Sequence, residues 1–219
     1  TSYDHFYTGS ADLVFSRLDG TIGELEAEKG FMARLSASDT YVLEEHKPKL
    51  RTDLNLGVPL PLDHSSLWLL TSFGYSFGEV EDSFSNFYFG GFGNNWIDNE
   101  SVNRYRRYYS FPGMELNSIA GTTYAKGTLE WSLPPVRFRR LGFPALYANW
   151  AHLSLFTSGI VTNPGEDYSS ELANVGAQLN LKVVLFSSLT STFSVSHAAA
   201  FEKGWAPERE SMVSLNILH

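Results

Sequence analysis

The sequence predicts an all-β fold, an antiparallel transmembrane β-barrel that forms a single domain over residues 1–219. Three observations predict this fold. Apolar and polar side chains alternate along many segments, these segments are long for strands, and short connections take turns with long ones. The composition agrees, since 18% of the residues are charged while 15% are aromatic. A mean hydropathy of −0.16 also fits, because the lumen side of a membrane barrel is polar.

The clearest alternation lies in residues 173–186. Odd positions from Ala173 to Leu185 are apolar, whereas even positions such as Asn174 and Gln178 are polar. A strand places successive side chains on opposite faces, so this segment has one apolar and one polar face. The same pattern predicts seven further strands and a less regular one at residues 11–18. The seven are residues 31–40, 50–60, 66–77, 119–133, 145–158, 189–201 and 213–217.

Strand length separates a membrane barrel from a soluble β-sandwich, which is the alternative fold. A tilted strand needs about 9–11 residues to cross the hydrocarbon layer, whereas strands of globular proteins average about 5–6 residues. Most of the alternating segments are of the longer kind. The chain has no window of about 18 uncharged apolar residues, which excludes a transmembrane helix. We therefore expect the strands to cross a bacterial outer membrane.

The connections predict which end of the barrel each turn occupies. In outer-membrane barrels, short periplasmic turns alternate with longer external loops. The short connections are residues 62–65, 134–135 and 187–188, and the long ones are residues 44–49, 79–117, 162–172 and 202–210. The acidic run at residues 24–28 and the basic run at residues 137–140 are predicted to lie in periplasmic turns. His219 is then expected on the periplasmic side.

The long loop at residues 79–117 has a composition that predicts packing against the barrel. An aromatic and glycine-rich run at residues 87–96 precedes a basic and aromatic run at residues 104–109. Loops above about 12–15 residues are usually functional or disordered, and disordered segments are poor in aromatic residues. We expect this loop to fold inward as a plug or gate of the lumen.

These motifs resemble the BamA-like, or bacterial surface antigen, superfamily of outer-membrane assembly and secretion barrels. In that family a Phe-x-x-Gly-Gly stretch enters a long loop with an arginine motif, and a strand ending in Glu-x-x-x-Pro follows. This chain has residues 87–91, the arginines of residues 104–107 and residues 130–134 in the same order. The resemblance covers residues 28–218 and is to the C-terminal barrel region of the family.

The resemblance implies a set of loop and wall residues. The loop-motif and gating residues are Arg104, Arg106, Arg107, Tyr108, Gly90, Gly91 and Gly113, and the lumen wall partners are Glu130, Asn149 and Asp53. Arg107 or Tyr108 stands where the arginine motif has glycine, so Arg106 and Arg107 are alternatives for the motif arginine. The family pairs that arginine with an Asp, but Asn149 stands at this position. A neutral amide lacks the charge-assisted part of the bond, so Glu130 or Asp53 could substitute.

The resemblance also implies a closed ring of sixteen strands, of which this chain would form about half. Unpaired strand edges are not viable in lipid, because bare backbone groups find no partner there. The chain could be a fragment of a longer polypeptide, pair with a second copy, or close alone with eight strands. An eight-strand barrel is filled by its own side chains and leaves no room for a long inward loop. We therefore favour a larger ring.

Function is expected from the resemblance alone: the barrel would pass or insert polypeptide, or lipid, at the outer membrane, without a cofactor and without enzymatic chemistry. Expected partners are outer-membrane lipid, a polypeptide substrate or periplasmic partner, and a second copy. The net charge of −8 argues against nucleic acid, and the six histidines lack metal-ligand spacing. One alternative is a structural barrel that anchors a periplasmic domain or partner. A less favoured one is an outer-membrane lipase using Ser154 and His152.

Overall fold

The computed structural model describes residues 5–20, 26–93, 102–143, 145–186 and 189–218. Over these ranges the chain is all-β, with a single 3₁₀ turn at Arg104–Arg106. Ten strands form one antiparallel sheet, and two short strands form another. The strands are β1 (Tyr7–Asp19), β2 (Lys29–Val42), β3 (Glu45–Pro59), β4 (Ser66–Ser76), β5 (Phe87–Phe89), β6 (Ile119–Gly121), β7 (Thr123–Ser132), β8 (Val136–Phe143), β9 (Leu146–Thr162), β10 (Ser170–Leu185), β11 (Leu189–Glu202) and β12 (Glu208–Leu218). No helix in these ranges is long and apolar enough to cross a membrane.

The large sheet is a meander, because each long strand pairs with the next long strand along the chain. Its order is β1-β2-β3-β4-β7-β9-β10-β11-β12, with β8 paired to β9. Each of the nine segments predicted from alternation overlaps one of these long strands. The connections at residues 77–122, 163–169 and 203–207 therefore lie at one end of the sheet, together with the turn between β2 and β3. We call it the loop end and the opposite end the far end.

The prediction for residues 134–140 is wrong. Strand β9 pairs with β7 up to Ser132↔Ser154 and then with β8 from Val136↔Ala151, so β8 continues the course of β7. The Pro134–Pro135 pair interrupts this long strand, because proline has no N–H to donate to a ladder. The basic run at residues 137–140 therefore lies in β8, and the chain reverses only between Phe143 and Leu146.

The predicted long loop at residues 44–49 is also wrong. Strand β2 ends at Val42 and β3 begins at Glu45, so Leu43 and Glu44 form a two-residue hairpin turn. Both have positive φ, 51° and 66°, which is the backbone of the tight turns that match strand twist. The turn predicted at residues 187–188, part of the acidic run at 24–28, and His219 lie outside the described residues.

The two faces of the sheet have opposite polarity, as the alternation predicts. One face is covered by the long loop and we call it the loop face; the other is the outer face. Buried side chains on the loop face are largely polar, including Ser72, Lys126, Thr128, Glu130, Ser132, His152, Ser158, Asn174, Gln178, Asn180, Ser194 and Ser196. The outer face exposes Leu35, Leu54, Leu69, Phe73, Leu129, Trp131, Leu153, Leu155, Val175, Leu179, Phe193, Val195, Val213 and Leu215. This arrangement is the reverse of a soluble sheet with a solvated polar face.

The sheet is open. In the described part of the chain β1 pairs with β2 and β12 pairs with β11, and each has one edge without a strand. The prediction of an all-β antiparallel fold is confirmed, whereas the structure does not form a closed ring. An eight-strand barrel closed by this chain alone is therefore not what these strands build.

Candidate functional site

The long loop begins and ends in a short hairpin that holds its two branches together. Strands β5 and β6 pair through Tyr88↔Ala120, and an isolated bridge joins Gly91 to Phe111 farther along the loop. Buried apolar side chains attach this base to the loop face; they are Phe87, Phe89, Phe111, Ile119, Tyr124, Ile160, Leu172 and Ala200. The loop thus folds inward and packs on the sheet, as its aromatic content predicts.

Arg106 anchors the loop to the sheet through two carboxylates. Its Nε donates to Oε2 of Glu130 at 2.7 Å, and its terminal nitrogen donates to Oε1 of the same carboxylate at 2.6 Å. A carboxylate oxygen of Glu26 lies 2.7 Å from the same guanidinium. Glu130 lies seven residues along β7 from Thr123 at the loop end, roughly 23 Å at about 3.3 Å per residue. The loop therefore reaches down most of the length of β7.

Pairing is what makes this buried carboxylate tolerable. Glu130 has no exposed side-chain surface, and a buried charge is costly unless it is paired and hydrogen-bonded. Burial raises the pKa of Glu26, but the Arg106 guanidinium outweighs burial and holds that pKa below its ordinary value. Glu130 and Glu26 in turn hold the pKa of Arg106 above its ordinary value, although burial opposes them. One guanidinium thus joins the loop, β7 and the β1–β2 connection.

The residues beside Arg106 make further contacts with the sheet. The Tyr105 ring is fully buried and stacks on Phe156 of β9, with ring centroids 4.2 Å apart and planes at 7°. Asn103 Oδ1 accepts hydrogen bonds of 3.0 Å from the side-chain amides of Gln178 and Asn180 on β10. The segment from Asn103 to Arg106 is therefore held by stacking and by amide hydrogen bonds as well as by charge.

Lys126 of β7 binds the backbone of the loop in the residues that follow Arg106. Lys126 Nζ donates to the carbonyl oxygens of Arg107 at 2.8 Å and Tyr108 at 3.1 Å, and also to that of Ser110. The Arg51 guanidinium lies over the Tyr108 ring, 3.8 Å from its centroid. A cation that satisfies three carbonyls fixes the local backbone whatever side chains the loop carries.

The edge strand β12 also holds the loop. Glu210 accepts hydrogen bonds from the backbone N–H of Phe92 at 3.2 Å and of Gly113 at 3.1 Å. These two donors lie on opposite branches of the loop, so one carboxylate joins both branches to the wall. Asn174 of β10 donates to the Pro112 carbonyl at 2.9 Å next to this point.

The predicted loop glycines lie where the backbone requires them. Gly90 has φ of 149°, and a Cβ there would lie 2.0 Å from the Glu115 carbonyl oxygen. Gly91 has φ of 59° and donates its N–H to the Met114 carbonyl at 3.1 Å. Gly113 has φ of 100°, and a Cβ there would lie 2.6 Å from the backbone nitrogen of Ala200.

The other predicted residues are distributed unevenly around this site. Arg104 contributes its carbonyl, which accepts from the Ser110 hydroxyl at 2.8 Å. Asp53 accepts from Arg51 at 3.1 Å and from the Ser72 hydroxyl at 2.6 Å. Asn149 is exposed and lies at the register shift between Ala148 and Trp150 in β9, away from the loop arginines. The wall partner of Arg106 is therefore Glu130, and the structure does not give Asn149 that position.

Several residues of the site were missed in the sequence. Lys126 and Gln178 stand at polar positions of predicted strands. The alternation therefore predicts the face on which each side chain lies, but it does not predict their contacts with the loop. Glu210 was assigned to the loop at residues 202–210, because the alternation of β12 is clear only from Val213 onward. Tyr105 and Glu26 carried no sequence signal that set them apart from neighbouring tyrosines and acidic residues.

The histidines of the described ranges form no cluster of metal-ligating side chains, and His152 does not bond to Ser154 in the structure. No group of three or more potential metal-ligating side chains occurs in the described ranges. His152 Nε2 lies 2.8 Å from the hydroxyl of Ser132, so the serine that it contacts is Ser132 rather than Ser154. Both are buried on the loop face.

We compared the chain with protein-family models, with curated proteins and with solved structures, and none of the three comparisons gives a match.

Proposed function

We propose that the chain forms part of the wall of a bacterial outer-membrane β-barrel of the assembly or translocation type, with the long loop as its gate. The observation that carries this proposal is the reversed polarity of the sheet. Its outer face is apolar and exposed, whereas its loop face buries polar side chains against a loop. Transmembrane barrels have an apolar band toward lipid and a polar interior.

The contacts that hold the loop support a gating role. Arg106, Lys126 and Glu210 attach the loop by charge-assisted hydrogen bonds. Water or a polar substrate could replace such bonds one at a time, whereas a continuous apolar core would resist opening as a whole. Lids and loops that open in this way control access in many proteins. In this proposal the transported cargo is polypeptide or lipid.

Replacing Arg106 tests the gate. In Arg106→Ala, Glu26 and Glu130 lose their shared cation and repel each other, so the loop should leave the loop face more often. We expect planar-bilayer recordings of the detergent-extracted species to show channel openings at least tenfold more frequent than in the parent. A double variant, Arg106→Ala with Glu130→Gln, should fall between them, because one of the two unpaired carboxylates is gone.

Arg209→Ala is the matched control, since Arg209 is exposed and its position in β12 is on the outer face, opposite to that of Glu210. Heat-modifiable migration in gels checks that each variant still forms a barrel. If Arg106→Ala keeps heat-modifiable migration and parental conductance, the loop is not a gate.

A structural anchoring barrel is the second candidate, and the density of the loop packing favours it. The buried cluster of Phe87, Phe89, Phe111 and Tyr124 fills the loop face near the loop end. An anchor should show no channel events in the parent or in Arg106→Ala. Since the chain has no cysteine, a cysteine pair at Asn103 and Asn180 could lock the loop to β10. An anchor should keep its function when that pair is oxidised, whereas a gate should lose it reversibly.

A further inference from the structure

The loop face has a region that the long loop leaves uncovered. A cavity of about 470 Å³ lies there, bounded by β1–β4, β7 and the loop segment from Arg106 to Tyr108. Sites for small organic ligands usually enclose about 300–1,000 Å³. The cavity is therefore large enough for a small molecule and is distinct from the packed region around Phe111 and Tyr124.

The cavity has a charged and polar row at one level, and its large apolar side chains lie in the two rows below it. One row of paired positions on neighbouring strands is polar. It crosses β2, β3, β4 and β7 and consists of Arg34, Asp53, Ser72 and Lys126. Two residues farther toward the far end, the corresponding row contains Met32, Asn55, Leu70 and Thr128. Two residues beyond that, the row contains Leu18, Trp68 and Glu130. Leu18, Met32, Trp68 and Leu70 are the apolar side chains of these two rows that line the cavity.

Two glycines make room for the apolar floor. Gly30 and Gly57 lie in the same row as Leu18 and Trp68. A Cβ on Gly57 would lie 2.4 Å from the Trp68 ring, so the indole lies directly against the β3 backbone. The ring is 8% exposed. From the polar row to the Trp68 row is four residues, roughly 13 Å along the strands at about 3.3 Å per residue.

Several of the charges that line the cavity have partners within the protein. Glu26 binds Arg106, Asp53 binds Arg51, and Lys126 binds the loop carbonyls. The Nε of Arg34 is buried and has no hydrogen-bond partner among the described residues. The Arg34 side chain as a whole is half-buried and lines the cavity, so its terminal nitrogens are the ones that can donate to an anion there. The guanidinium would supply charge as well as a hydrogen bond.

We infer that this cavity binds a single-chain anionic amphiphile of the fatty-acid type. The carboxylate accepts hydrogen bonds from Arg34, and the acyl chain runs over Met32 and Leu70 toward Trp68. The depth of the cavity selects a chain of medium length. This site goes beyond the proposed gate, because it requires only the loop face of β1–β4 and the docked loop.

Quenching of Trp68 tests where the chain lies. Bromine quenches indole fluorescence only at close range, so ω-bromoundecanoic acid bound in this orientation places its bromine beside Trp68. The full chain, refolded in a non-brominated detergent, should show saturable quenching of part of its emission. Trp68→Phe should abolish that saturable part. Trp131→Phe is the matched control, because Trp131 is exposed on the outer face, and it should keep the saturable part.

Comparison with ω-bromoundecanol tests the role of charge. The alcohol has the same chain without the anion, so it should bind the parent roughly tenfold more weakly than the acid, as expected for one charge-assisted contact. Arg34→Gln should weaken the acid to the level of the alcohol and leave the alcohol unchanged. Arg209→Gln, an exposed arginine on β12, should change neither.

Two results would overturn the inference. One is equal binding of acid and alcohol to the parent, which requires no variant and so does not depend on the folding of Arg34→Gln. The other is quenching that Trp68→Phe leaves intact, since the probe would then lie elsewhere, in the detergent or on the outer face. Neither result bears on gating, because loop opening is measured separately by conductance.

Discussion

At the scale of single residues, Gly113 is a position where the long loop approaches the backbone of the sheet too closely for a side chain. A Cβ there would lie 2.6 Å from the Ala200 nitrogen and 2.9 Å from the Ala199 carbonyl carbon. Its N–H also binds Glu210. Glycine is therefore required both by the positive φ of 100° and by contact.

Gly113→Ala should release the loop from β11 and β12. Overpacking against backbone typically costs about 1–3 kcal/mol, in addition to the backbone strain of a positive φ. Limited proteolysis within the loop should accelerate severalfold or more. Gly165→Ala is the matched control, because Gly165 has φ of 88° but open space around its Cβ position. Equal protease sensitivity in the two variants would mean that the close approach at Ala200 contributes nothing.

At the scale of elements, β12 is coupled to the loop although it is an edge strand. It pairs with β11 alone among the described strands, and strands with one neighbour open more readily than central ones. Glu210 transmits such an opening to both branches of the loop, because it holds the N–H groups of Phe92 and Gly113. Motion of this edge strand should therefore loosen the loop around Phe92 and Gly113.

Glu210→Gln should expose these two amides. The neutral amide offers one acceptor in place of two and has no charge, so the Phe92 and Gly113 N–H groups should exchange with deuterium about tenfold faster. Glu208→Gln is the matched control, because Glu208 is exposed and lies two residues earlier on the same strand. The coupling is refuted if both variants exchange at the parental rate.

At the scale of the whole molecule, the number of strands limits how a ring could close. The meander has nine long strands, so β1 and β12 run in the same direction. A ring closed only by antiparallel pairs has an even number of strands and requires an odd number of further ones. Two copies joined head to tail would instead meet at two parallel seams. Nineteen-stranded barrels show that a parallel seam is possible, so both routes remain physically allowed.

If the strands cross a membrane, both edges must be covered there. We expect the detergent-extracted species to contain more protein than one 24.5 kDa chain, as measured by light scattering with correction for detergent. Cysteines introduced at Ala11 in β1 and Ser211 in β12, both on the outer face, should form a disulfide between copies only in the two-copy ring. A monodisperse single chain of this length, stable with both edges open, would contradict the membrane ring.

The sequence by itself determined the strands and their faces. Period-two alternation is a local property, so residues such as Leu179 and Gln178 revealed their opposite faces without any tertiary information. The aromatic content of residues 79–117 likewise indicated a packed loop. The local pattern gave a wrong prediction at Pro134 and Pro135, which were interpreted as a turn. Their missing N–H groups interrupt the strand, but the chain does not reverse there.

Only the tertiary structure decided which partners meet. Three arginines within residues 104–107 are chemically equal in the sequence, and Arg106 is selected because the loop brings it to Glu130 and Glu26. Glu210, Lys126 and Arg34 acquire their surroundings from strands that are distant in the chain. The alternation in single segments also could not predict the open edges of the sheet, because strand pairing depends on register and direction across the whole sheet. The face on which a side chain lies follows from the geometry of its own strand, whereas the residues that it contacts depend on how all the strands are assembled.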